Sequence, residues 1–339
     1  MSINQTDFER FLTQQDETAW AQALQELLPA SHEVDRTATQ IWFAFFPLAL
    51  QRALATATDP AQLAQKLLLQ GRYNLKDQID TSHTFLYGHR FWPEIKLATI
   101  AHAARCKATD TAALAAQIRA VAQAVAQERR MSEALLVGIT AVAFMTLQQT
   151  GMPAFRATPG KVTLDRQHAK LSPADIMRAR ARDDSQGLLK FLRTTDKHWT
   201  VVWNENNEAA RFKMVNSQEV ASAAATDKRD WWQSDPRCTI GEGPIPVQCR
   251  SASCGTCWVG VLGGAEKLSD VAPRERKAMK LFGYIDTDEP RPIIRLSCQA
   301  QGTGAISIVI PPWNGVFGKY VRGQQAEQQE QGEPVEANA

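Results

Sequence analysis

Six cysteines are the residues of this chain best suited to chemistry: Cys106, Cys238, Cys249, Cys254, Cys257 and Cys298. Three of them fall within nine positions, in CRSASCGTC (249–257), and a fourth follows after 40 residues in RLSCQAQ. Thiols so spaced can form a disulfide, chelate zinc, cycle as a redox dithiol or ligate an iron–sulfur cluster. The N-terminal MSINQTDFERFLTQQDETAW is polar and acidic and lacks the apolar core of an export signal. A reducing cytoplasm is therefore expected, and that weighs against structural disulfides. Thioredoxin-like chemistry needs Cys-x-x-Cys at a helix start, whereas Cys254 and Cys257 run into WVGVLGG, a strand-like segment. Structural zinc usually takes two tight pairs, and here a trio is followed by a singleton.

The order C-x4-C-x2-C…C is the plant-type [2Fe–2S] spacing. Two ferric irons, two sulfides and four thiolates sum to a charge of about −2, and reduction adds one more negative charge. A protein offsets that charge by wrapping a tight loop whose backbone N–H groups point at the sulfurs. Such a loop needs small side chains and permissive dihedrals. Ser251, Ala252, Ser253, Gly255 and Thr256 supply them between the cysteines.

Four stretches carry a resemblance: CRSASCGTC, the VGVLGG after it, EKLSD…PRERKAM leading into a helix, and RLSCQAQG. On these, residues 198 to about 315 resemble the plant-type and related bacterial [2Fe–2S] ferredoxin domains. The resemblance implies a β-grasp fold, a mixed sheet crossed by a helix, and a single [2Fe–2S] cofactor. It also implies Cys249, Cys254, Cys257 and Cys298 as the cofactor-binding and metal-binding residues, with Cys249 to Cys257 on the exposed rim and Cys298 on the inner side. It covers about a third of the chain; residues 1–197 resemble no family. The 40-residue gap exceeds that of the usual plant ferredoxins, so an enlarged segment is expected around 265–292. The domain is also nearly neutral, where many soluble ferredoxins are acidic. Arg237, Arg250 and Arg295 lie near ligands in sequence, where they either raise the reduction potential by stabilising the reduced state or only solvate the surface.

The elements that must position these cysteines divide the 339 residues into more than one domain. The reading is multidomain, all-α followed by α+β. Residues 1–150 form an all-helical domain, 151–197 a basic linker with a connecting helix, 198–320 the ferredoxin-like domain and 321–339 a disordered tail. Asp16 is expected to cap a helix in DETAWAQALQELLPA, and PAQLAQKLLLQG to run as a helix to Gly71. Ser172, Pro173 and Asp175 form a capping-box start. WTVVWN and ARFKMV read as a hairpin, SQEVASAAA as a short helix, TCWVGVLGG and AISIVIPP as strands, and APRERKAMKLFG as a helix closed by Gly283. The longest apolar runs, 37–51 and 134–147, are shorter than the roughly 20 residues that cross a bilayer. No transmembrane segment is expected, which leaves peripheral association with a membrane complex open. The formal net charge of +2 gives no reason to expect a nucleic-acid partner.

Other candidates are weaker. His83, His89 and His102, with Glu94 nearby, have spacings that match no helical ligand pair and sit among bulky apolar residues. Cys238 and Cys106 read as spare thiols. The RARAR run (178–182) could dock an acidic partner or anionic lipid, or be a solvated connector. No flavin or nicotinamide motif and no second cysteine cluster accompanies the first. The expected function is one-electron transfer through a single [2Fe–2S] cluster, with the helical domain docking a redox partner protein and no catalytic residue of its own. Two alternatives stand beside it: a redox-sensing regulatory protein, and an enzyme with a cofactor near His83 and His89.

Overall fold

The computed structural model describes residues 5–107, 112–182, 197–282, 288–318 and 320. About half of the chain is helical, and a mixed sheet occupies the C-terminal region. The helical part begins with α1 (Asp7–Gln14), α2 (Glu17–Leu27), α3 (Glu33–Phe45), α4 (Leu48–Thr56) and α5 (Pro60–Lys66). A two-residue strand, β1 (Gln70–Gly71), precedes α6 (Trp92–Arg105), α7 (Leu114–Arg129), α8 (Ala134–Ala157) and α9 (Pro173–Ala181). Asp16 caps α2 by accepting the Ala19 N–H at 2.8 Å. Ser172 and Asp175 form the reciprocal box at the start of α9. Both satisfy N–H groups that the first helical turn leaves without partners.

Two boundaries differ from expectation. Residues 151–157 read as linker, yet they continue α8. Gly151 alone leaves helical space (φ 75°), and Pro153 stands in the first turn after that break, where its missing N–H costs nothing. Met152 and Phe155 are buried there. Helix α5 ends at Lys66, not at Gly71, because Gln70 and Gly71 pair with Trp313 and Asn314 at the far end of the chain. Helix α9 ends at Ala181, with Arg182 extended; the rest of the expected connecting segment from 183, the Gly283 cap and the tail at 321–339 fall outside the described residues.

Helix α8 is the hub of the helical part, packed by α1, α3, α6 and α7. By length and composition it could cross a bilayer, but 72% of its most apolar window is buried inside the protein. That is what a core helix needs.

The C-terminal part starts with β2 (His198–Val202) and β3 (Arg211–Val215), the expected hairpin, followed by β4 (Gln218–Glu219) and α10 (Val220–Ala224). Then come β5 (Trp258–Gly263), α11 (Pro273–Phe282), β6 (Ile294–Leu296), β7 (Gln301–Gly302), β8 (Ile306–Val309) and β9 (Trp313–Asn314). The five-stranded sheet runs β3-β2-β8-β5-β6, with β2 parallel to β8 and the other neighbours antiparallel.

The two parts share one hydrophobic core, running from Phe8 to Phe317. Helix α3 lies on β5 so closely that a Cβ on Gly260 would stand 2.5 Å from the Ile41 side chain. The Phe45 ring meets Trp258 edge-on at 5.3 Å, Trp258 meets Trp313 at 5.6 Å, and the Trp313 indole donates to the Phe45 carbonyl. At the N-terminal end of α3, buried Arg180 of α9 donates to the Val34 carbonyl and pairs with Glu205, which also accepts from Ser307 of β8.

Candidate functional site

The four clustered cysteines come together on two supports. Cys249, Cys254 and Cys257 lie on the loop that enters β5, and Cys298 lies in the turn that leaves β6, the strand paired with β5. The Ser297 N–H donates to the Cys257 carbonyl at 2.9 Å and ties that turn to the loop. The loop bends through left-handed backbone at Arg250 (φ 50°), Ala252 (φ 57°) and Gly255 (φ 72°). This turns the N–H groups of Ser251 and Ser253 onto the Cys249 sulfur, at 3.5 and 3.3 Å. Cys254 Sγ meets the Thr256 hydroxyl at 3.1 Å, and Gln299 Nε2 donates to Cys298 Sγ at 3.5 Å.

The sulfurs form two pairs. Cys249 interacts with Cys254, and Cys257 hydrogen-bonds with Cys298. Among the described residues, no group of three or more His, Cys, Asp or Glu is placed to hold a metal ion. Two pairs of thiols suit two irons better than one ion. The expected rim needs one correction: Cys249 and Cys254 are half-buried, but Cys257 is buried along with Cys298. The inner pair is covered because Trp258, the next residue, turns inward against Phe45 and Trp313.

Partial burial opposes ionisation of Cys249, but it is outweighed by hydrogen bonds from Ser253, Cys254 and the loop N–H groups, leaving the pKa lowered to about 5. Within the inner pair, the hydrogen bond to Cys257 leads in holding Cys298 down to about 7, while Cys257 is raised well above the ordinary thiol value. A thiolate binds metal and a thiol does not. The Ser297 hydroxyl, next to Cys298, is buried without a hydrogen-bond partner. Such a donor costs free energy unless an acceptor adjoins it. Buried sulfurs, inward-facing N–H groups and an orphaned hydroxyl suit an anionic cluster.

Residues 239–302 match the family model described as the 2Fe-2S iron-sulfur cluster binding domain. This domain carries a [2Fe–2S] cofactor. Residues 1–238 match no family, and no curated protein or solved structure matches the chain.

The three arginines near the cluster domain's cysteines are each paired with a carboxylate. Arg237 pairs with Asp235, Arg250 with Glu242, and fully buried Arg295 with fully buried Glu275. The paired charges largely cancel, which weakens the expected effect on potential. In the RARAR run, Arg178 pairs with Asp175 and Arg180 with Glu205. Cys238 donates to the Pro244 carbonyl at 3.3 Å, and burial pushes its pKa up to about 12, so it is an inert thiol. Cys106 lies at the C-terminal end of α6, 4.0 Å from Gln117 Oε1.

His83 and His89 do meet, Nδ1 to Nδ1 at 2.9 Å, in the core beside Trp92. His89 Nε2 accepts the Thr163 N–H, so its proton sits on Nδ1 and is donated to His83; His83 Nε2 then donates to the Ile79 carbonyl. All four ring nitrogens are committed. His102 instead meets Gln117, and Glu94 pairs with Arg129. Burial drives His83 well below its ordinary value and His89 down to about 4.

This pair has a consequence for stability. Unfolded histidines take up protons near pH 6.5, whereas folded His89 resists until about pH 4 and His83 is also held well below its ordinary value. Stability is therefore fully present above pH 6.5 and falls on acidification toward 4, by on the order of 3 kcal/mol for His89. Asp35 works the other way, its pKa raised by burial to about 6. Urea unfolding between pH 7 and 4.5 should therefore show a shallower slope in His83→Gln and His89→Gln than in the wild type. Equal slopes would contradict the neutral pair.

Residues that sequence reasoning passed over include Glu275, Ser297 and Phe45. The spacing of Glu275 and Arg295, 20 residues apart, gives no local signal of their pairing.

Proposed function

We propose that the chain is a one-electron transfer protein. Cys249, Cys254, Cys257 and Cys298 would hold the cofactor through their four thiolates. The mixed sheet with α11 is read as a β-grasp fold, in keeping with the matched family. When bound, a [2Fe–2S] cluster supplies one-electron redox chemistry without a proton donor or nucleophile. The chain's own residues do the rest. Ser251 and Ser253 donate to the outer sulfur of Cys249, and the Ser297 N–H ties the turn carrying Cys298 to the loop through the Cys257 carbonyl. Trp258, Phe45 and Trp313 keep water from the inner pair. The half-buried outer pair gives a partner its closest approach, and the helical part is the body on which that redox partner protein docks.

The observation that carries this reading is the asymmetry of the pairs, one at the surface and one sealed. A centre that only held the fold together would gain nothing from an exposed edge. An anaerobic reductive titration of the full chain tests it. One electron per chain should bleach the visible bands, and a one-electron acceptor should restore them. Uptake of two or more electrons, or loss of iron on reduction, would overturn the reading.

A further inference from the structure

A second concave site lies in the helical part, away from the cysteines. It is a cavity of about 300 Å³ between α4 and the segment 73–77. Its walls are apolar and aromatic: Phe45, Phe46, Leu50, Leu54, Tyr73 and Leu75. Its polar lining is Lys76, Asn74 and Gln51, which carry hydrogen-bond donors, the Asp77 carboxylate, and Gln149, whose amide donates to the Phe46 carbonyl. Phe45, one of its lining residues, is fully buried, and the same ring packs against Trp258, the residue after Cys257. Two aromatic side chains in contact, Phe45 and Trp258, thus lead from the cavity wall to the residue next to Cys257. At the low end of the usual range for ligand pockets, its volume suits one flat fused-ring molecule.

We propose that this cavity binds a small quinone, a flat apolar ring bearing carbonyl oxygens. The aromatic walls match the faces of such a ring. The amine of Lys76 and the amides of Asn74 and Gln51 are donors without which the carbonyl oxygens would lose the hydrogen bonds they make in water. The choice of a redox-active ring rests on the proposed electron-transfer role, since Phe45 of the wall packs on Trp258, the residue next to Cys257.

Equilibrium dialysis of the full chain against menadione, with 2-methylnaphthalene as the ring without carbonyls, tests the proposal. Menadione should bind saturably at one site, about tenfold more tightly than the hydrocarbon, as one retained hydrogen bond requires. Leu54→Trp, which fills the cavity, should abolish the binding. Lys76→Met, an exposed change that leaves the fold alone, should narrow the preference for menadione severalfold. Absence of saturable binding, or equal affinity for both rings, or binding untouched by Leu54→Trp, would overturn it. Iron content measured on the same samples separates the two proposals. A chain with its cluster that ignores menadione sinks this inference alone; a chain without a cluster that binds menadione sinks the electron-transfer reading alone.

Discussion

A chain that begins at Lys197, with the whole sheet and all four clustered cysteines, is expected not to fold into a cluster-binding domain. Cutting there strips Phe45 and Ile41 from the sheet and exposes Trp258 and Trp313, both buried in the full chain. Each such side chain returned to water costs about 1.5–3 kcal/mol. Glu205 also loses Arg180, its buried partner, and with it the tie to the Val34 carbonyl of α3. These losses together match the whole stability of a typical domain, about 5–15 kcal/mol. The point variant Phe45→Ala, in the full chain, should cost about 3–5 kcal/mol for the same reason. Circular dichroism and iron binding of the fragment check the first result, and urea denaturation checks the second. A fragment that folds cooperatively and takes up iron would mean the helical part is dispensable to the site.

Glu275→Ala should be nearly as damaging. Glu275 and Arg295 are both fully buried. The carboxylate accepts from Arg295 Nε at 2.8 Å, from its terminal nitrogen at 2.9 Å and from the Leu296 N–H at 2.9 Å. Arg295 also donates to the Ser269 carbonyl at 2.7 Å. This network pins α11 to β6, two residues before Cys298. Truncation leaves a buried guanidinium unpaired, at about 3–5 kcal/mol. It also loosens the turn carrying Cys298, so iron occupancy should fall along with stability. Replacing both partners by apolar residues, Glu275→Leu with Arg295→Met, should recover much of the stability, because no charge is then stranded. Occupancy should recover less, since the Leu296 N–H keeps no acceptor. Wild-type stability in Glu275→Ala would contradict the network.

The local part of this architecture was legible in the sequence because its causes are local. Asp16 and Ser172 cap helices through side chains that reach only three residues along. The alternation in WTVVWN and ARFKMV sets a hairpin, and the cysteine spacing pointed to the cofactor. What was not legible depends on residues far apart. The apolar periodicity of PAQLAQKLLLQG continues past Lys66, but Gln70 and Gly71 are drawn into pairing with Trp313 and Asn314. GMPAFR has the composition of a linker, and packing of Met152 and Phe155 makes it helix. The arginines near the cysteines looked like free positive charge, and each found a carboxylate. Cys257 looked like rim, and Trp258 pulled it inward. The shared core of the two parts left no mark in either part alone.

The four thiols of Cys249, Cys254, Cys257 and Cys298 are proposed to hold one binuclear cluster. Iron and acid-labile sulfide should therefore be measured on the full chain and on single Cys→Ser variants at 249, 254, 257, 298, 238 and 106. The wild type should hold about two irons and two sulfides per chain, as a [2Fe–2S] centre requires. The first four variants should lose most of both, with Cys257→Ser and Cys298→Ser the worst because their sites are sealed. Cys238→Ser and Cys106→Ser should keep the wild-type content. Full occupancy in any of the first four, or loss of iron in Cys238→Ser, would contradict the account.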